Sequence, residues 1–142
     1  MTPTLFGRWQ TRLLLLGTVG SVVTFLVIFL LNTDNTPWVI LVYVIGIGFF
    51  WDILYNYLQG FRWDRDWSPV HQLLAGIVEG VFVWLLATFV GLPGVTPGAD
   101  FTTIFVIHYT AVWITTFLAS QGLLRIIFPR WRYRGGQWIG RS

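Results

Sequence analysis

Four stretches of the chain run almost without a charged side chain, and each is long enough to cross a bilayer core, which needs roughly 20 mostly apolar residues. They cover about residues 11–31, 37–58, 70–92 and 101–124. The uncharged run from Leu13 to Leu31 is 19 residues long and is followed by "NTDNTP". That is longer than the apolar core of a signal peptide and lacks a small-x-small cleavage site, so the first stretch reads as a retained helix. "NTP" precedes Trp38 and "WSP" precedes Val70. Both place a Thr or Ser at an N-cap and a proline at the first helical position, where its missing N–H is harmless. Asp100 stands ready to cap the fourth stretch, and "GLPGVTPGAD" cannot continue the third as a helix. The pattern predicts an all-α integral membrane protein: four transmembrane helices in an up-down bundle with antiparallel neighbours. Residues 1–128 form the transmembrane domain and 129–142 a basic, aromatic tail.

Composition sharpens this. The chain is 55% hydrophobic and 11% charged, with a mean hydropathy of +0.67, far from the quarter of charged residues in soluble domains. The absence of cysteine removes disulfides, thiolate metal sites and thiol catalysis. The net charge of +3 comes from arginine alone, and the arginines flank apolar stretches instead of striping a polar fold. They therefore point to a membrane surface and not to nucleic acid. Arg8 and Arg12 precede the first helix, Arg62 and Arg65 lie in the second loop, and Arg125, Arg130, Arg132, Arg134 and Arg141 follow the fourth helix; the other two loops carry only Asp34 and Asp100. By the positive-inside rule both termini are cytoplasmic, and the small size without targeting signals points to a bacterial inner membrane.

Trp9, Trp63, Trp67, Trp131, Tyr133 and Trp138 fall near the same headgroups, where amphipathic rings are favoured. Two readings of the loop "RWDRDW" stand side by side. It is an interfacial segment with compensated charges, or Arg62, Asp64, Arg65 and Asp66 form a polar knot that, with Trp63 and Trp67, docks a partner subunit or the C-terminal tail. The tail, with Arg130, Trp131, Arg132 and Arg134, either lies on the anionic leaflet or reaches into a neighbouring protein.

Ionisable residues at membrane depth are candidate functional groups: Glu79, Asp52 and His108. Glu79 lies about 15 Å beyond Pro69 at 1.5 Å per residue, inside "GIVEG", where Gly76 and Gly80 form a GxxxG pair that admits a close neighbour. It is expected either to fix packing by bonding Thr18, Ser21, Thr24 or His108, or to carry a proton or cation. Asp52 is expected to pair with Arg62 or an arginine of another cytoplasmic segment. His108 sits on a small, polar face suited to helix packing. His108 and His71 are also candidate haem or chlorin ligands, each for a separate group, since they differ in depth by about 20 Å; otherwise no cofactor is expected. Gly17 and Gly20 in "GTVGSVVTFL" echo Gly76 and Gly80 and are candidate packing positions.

No motif of a protease, hydrolase, nucleotide-binding loop or calcium loop is present, so no enzyme is expected. Two functions remain. One is a non-catalytic accessory, assembly or stabilising subunit of a larger bacterial membrane complex, supported by the aromatic load and the apparent lack of a polar pathway. The other is a small oligomeric proton- or ion-coupled transporter or channel using Glu79. Expected partners are the lipid bilayer and other membrane subunits or further copies of the chain.

Overall fold

Alternation of long apolar runs with short polar connections yields four helices in the computed structural model, which describes residues 4–95 and 98–138. They are α1 (Leu5–Leu31), α2 (Thr36–Gln59), α3 (Pro69–Val90) and α4 (Phe101–Ile127), each long and apolar enough to cross a membrane. Every regular element among the described residues is helical. Three helices contain a widened π turn, at Leu16–Gly20, Leu86–Val90 and Ala119–Leu123.

Helix starts depart from expectation in instructive ways. α1 begins at Leu5, because the Thr4 hydroxyl accepts the Gly7 N–H at 3.1 Å and so satisfies a donor that the first turn leaves unpaired. Arg8 and Arg12 therefore lie within the helix and do not precede it. At α2 the cap is Asn35, with Thr36 and Pro37 already helical; the Thr36 N–H is met by Asp34 at 3.1 Å. Ser68 is the residue before α3, yet its hydroxyl turns to His71 Nδ1 at 2.6 Å. Asp100 precedes α4 without a side-chain capping bond.

The end of the bundle away from the arginines holds the apolar core. Ile40, Leu41, Val83, Ala87, Phe101 and Phe105 pack there with Leu16, Val44 and Val112 nearer the middle. Tyr43 donates to the Pro93 carbonyl at 2.7 Å, holding the α3–α4 connection against α2. Phe29, Phe50 and Phe89 point outward, exposed by about three quarters, as side chains facing lipid are.

Close packing selects among the glycines. A Cβ on Gly76 would collide with the Trp113 indole and one on Gly80 would meet the Tyr109 ring at 2.5 Å, so the predicted GxxxG face does seat a neighbour, through two aromatic side chains of α4. Gly20 is a milder case, with Leu41 3.2 Å from its would-be Cβ, while Gly17 has nothing within 4 Å. The two glycine pairs therefore do not serve as equivalent repeats, and Gly17 admits no close neighbour from within the chain.

The tail folds back onto its own chain. Thr4 N–H donates to the Gly135 carbonyl at 2.9 Å, Thr11 Oγ1 to Gly136 at 3.0 Å, and Trp138 N–H to Gln10 Oε1 at 2.6 Å. Trp131 is buried and donates its indole N–H to Thr11 Oγ1 at 3.1 Å and to Gly136 at 3.0 Å. Gly7 makes this possible, since a Cβ there would strike the Gly135 carbonyl.

Replacing Gly76 with Leu forces the Trp113 indole off α3 and is expected to destabilise the protein by about 1–3 kcal/mol, the usual range for overpacking. Gly17→Leu should stay within about 0.5 kcal/mol of the parent. Thermal unfolding of the two variants in one detergent checks the difference.

Candidate functional site

Arg12 is placed by α1 on the inner side of the bundle, its side chain largely covered. Its Nε and NH2 donate to the two Asp52 oxygens, both at 2.8 Å. Its NH1 and NH2 donate to the two Glu79 oxygens at 2.9 and 3.0 Å. One guanidinium thus bridges carboxylates of α2 and α3 through paired, charge-assisted bonds, the geometry that its planar fork favours. Gly48, one turn before Asp52, leaves the room: any Cβ there would clash with the guanidinium.

Glu79 is held in register by its neighbours. Tyr55 of α2 donates to the Ala75 carbonyl at 3.3 Å and Tyr109 of α4 to the Gly76 carbonyl at 2.6 Å. Both bonds grip the α3 turn that precedes the carboxylate.

Above the triad lies a cavity of about 220 Å³. Its floor is Leu16, Val44 and Val112, shared with the apolar core. Its walls include Tyr55, Tyr109 and Trp113, and it extends to Gly7, Asp66, Ser68 and Trp131 at the arginine-bearing end. Arg8, one turn before Arg12, donates to Gln59 Oε1 at 2.8 Å and stacks 4.4 Å over the Trp67 ring. On the opposite wall Arg125 donates to Gln121, Gln121 to Gln72 at 2.7 Å, and Gln72 to Ser120 at 2.9 Å. Leu16, Ser120 and Gln121 come from π turns, an irregularity frequent at functional sites.

These placements revise several expectations. The partner of Glu79 is Arg12; Thr18 and Ser21 donate to carbonyls of their own helix at 2.6 and 2.8 Å. A buried carboxylate gains more from a cation than from a hydroxyl, because an uncompensated charge in low dielectric is the larger penalty. Asp52 pairs with Arg12, an arginine of another segment and so the second of the two partners expected, and not with Arg62. Arg62 instead pairs with Asp64 at 3.2 Å and donates to His71 Nε2 at 3.2 Å. The Arg62 guanidinium and the Asp66 N–H hold the Asp64 carboxyl below the ordinary range. In this loop Trp63 is 95% exposed and Arg65 is exposed with a positive φ of 50°, while Asp66 and Trp67 face the cavity. The tail docks on α1 and not on this loop. Arg130 and Arg134 are exposed; the Arg132 side chain and all of Arg141 lie outside what the structure describes.

His108 is 1% exposed. The Thr24 hydroxyl donates to the Gly20 carbonyl at 2.7 Å and accepts from His108 Nε2 at 2.8 Å, which joins α1 to α4. His71 has both ring nitrogens engaged, by Ser68 and Arg62. No group of three or more His, Cys, Asp or Glu suited to a metal ion occurs among the described residues.

Compared with family models, with curated protein sequences and with solved structures, the chain matches none. The site therefore has to be understood from its own chemistry.

Arg12→Gln would leave two buried carboxylates without a cation and is expected to cost about 3–5 kcal/mol, as for breaking a buried ion pair. Arg12→Lys keeps the charge but not the fork and should lose less. Glu79→Gln preserves a balanced Arg12–Asp52 pair and should lose under about 1.5 kcal/mol. Unfolding of the three variants in detergent, ranked in that order, checks the triad.

Proposed function

We propose that the chain is a small membrane carrier whose binding site is the cavity above Arg12, Asp52 and Glu79. The observation that carries this reading is the asymmetry of the bundle. A cavity that is largely apolar but holds the buried ionic triad reaches the middle from one end, and tightly packed Ile40, Leu41, Val83, Ala87, Phe101 and Phe105 close the other. That is the form of a carrier open to one side, with an ionic group along its path of access. A structural ion pair needs no cavity beside it. Arg62, Arg65, Arg125, Arg130 and Arg134 lie at the cavity end, and the opposite loops carry only Asp34 and Asp100. By the positive-inside rule the cavity then opens to the cytoplasm, with both termini on that side of a bacterial inner membrane.

A second reading, the non-catalytic accessory subunit of a larger complex, draws on Trp63, Phe61 and Tyr133, strongly exposed at the arginine-bearing end. Stoichiometric co-purification of other subunits in mild detergent would favour it.

The chain has no cysteine, so single-cysteine variants report access directly. Ala75→Cys, half-buried and lining the cavity one turn before Glu79, should react with a membrane-impermeant thiol reagent from the arginine-bearing side. Ala87→Cys, 1% exposed in the closed half, should react slowly from the other side if the carrier alternates. Complete protection of Ala87→Cys from both sides under all conditions would sink the carrier reading.

A further inference from the structure

We propose that the cavity binds one small monovalent anion together with one proton, the anion going to the Arg12 guanidinium and the proton to Glu79. This identifies the substrate class of the carrier site proposed above and rests on that reading for its transport meaning, though not for the binding itself.

Charge balance is the first argument. The charged residues lining the cavity are Arg8, Arg12 and Arg125 against Asp52, Asp66 and Glu79. Three positive and three negative groups leave the lining neutral. Any ion entering alone would add an unpaired charge to a poorly solvated space, which is costly. A charged guest is therefore favoured only when a proton moves with it, an anion with a proton gained or a cation with a proton lost.

The second argument is which sign the lining presents. Within the triad the Arg12 side chain keeps 15% exposure, against 6% for Asp52 and 7% for Glu79, so the cation is the least covered of the three. Hydrogen-bond demand points the same way. Among the buried side-chain atoms of the lining residues, those without a partner are all donors: Arg8 Nε, Trp113 Nε1 and Arg125 Nε. A guest that brings acceptors, as an anion does, matches that imbalance.

The proton is placed on Glu79, whose release frees one edge of the Arg12 guanidinium while Asp52 keeps its own two-bond hold on the other. The groups facing Glu79 are Arg8 and Arg12 from α1, Asp52 and Tyr55 from α2, and Tyr109 from α4, with Asp66 and Arg125 further along the same cavity. Protonating Glu79 removes one of the two anions that saturate Arg12, releases its NH1 edge and leaves the lining with one excess positive charge. The incoming anion restores neutrality on that edge. A cavity of about 220 Å³ is smaller than drug-sized sites and suits an anion of a few heavy atoms between aromatic walls.

The test is isothermal titration calorimetry of the full chain in detergent with methanesulfonate, which stays anionic at every pH used, and with tetramethylammonium as the cationic control. Methanesulfonate should bind the parent with an affinity that falls about tenfold per pH unit on the alkaline side, the slope of one linked proton. Buffers of different ionisation enthalpy should report one proton taken up per anion. Glu79→Gln, locked in the neutral form, should bind with an affinity that changes less than about twofold over the same range. Should that variant not fold, the proton count on the parent decides alone. Binding of tetramethylammonium instead, parent binding that ignores pH, Glu79→Gln keeping the parental slope, or no methanesulfonate binding at any pH would each overturn the proposal. The carrier reading fails separately, on the protection of Ala87→Cys.

Discussion

One guanidinium shared between two buried carboxylates organises this bundle. Arg12 ties α1 to Asp52 of α2 and Glu79 of α3 through one guanidinium. Each of the three charges would be heavily penalised without the others, since desolvation of an isolated ion in a medium of low dielectric exceeds any packing gain. The three helices therefore cannot slide or rotate independently. Gly48 admits the guanidinium, and the tyrosine hydroxyls from α2 and α4 grip the α3 turn before Glu79. Polar and packing constraints here act on the same few residues.

The bundle divides into two unlike halves around this point. Away from the arginines, apolar side chains from α2, α3 and α4 fill the interior, and the His108–Thr24 bond links α4 to α1. Toward the arginines the helices part around a cavity that ordinary packing would close, since protein interiors hold few voids larger than a water molecule. Glycine is what permits contact where contact occurs. At Gly76 and Gly80 the α3 backbone lies against Trp113 and Tyr109, and at Gly7 α1 lies against the returning tail. The tail is thus a structural member of the cavity end: Trp131 lines the cavity and bonds Thr11 of α1. In a carrier, movement of α1 and movement of the tail would be coupled.

Expectation and structure part company over Arg12 for an identifiable reason. Arginines at the edge of an apolar run are counted as headgroup anchors, because most of them snorkel outward. Here Arg8 and Arg12, four residues apart on one helix face, turn inward. The signal available was indirect: two carboxylates within apolar stretches require a cation, and the chain has no lysine. Glu79 and Asp52 were recognisable as intramembrane polar groups, and Gly76 and Gly80 as a close-packing pair. Gly48 was not, since a single glycine in an apolar helix does not announce what passes over it.

Periodicity and charge along the chain determined four apolar helices, their approximate ends and the concentration of arginine at one end, because hydrophobic run length and local capping are properties of consecutive residues. The pairing of Arg12 with Asp52 and Glu79, the bond between His108 and Thr24, the docking of the tail on α1 and the existence of the cavity were decided only in three dimensions. These depend on the rotational phase and depth of each helix relative to its neighbours. No single helix carries that information, and it emerges only when buried charges on separate helices must find one another.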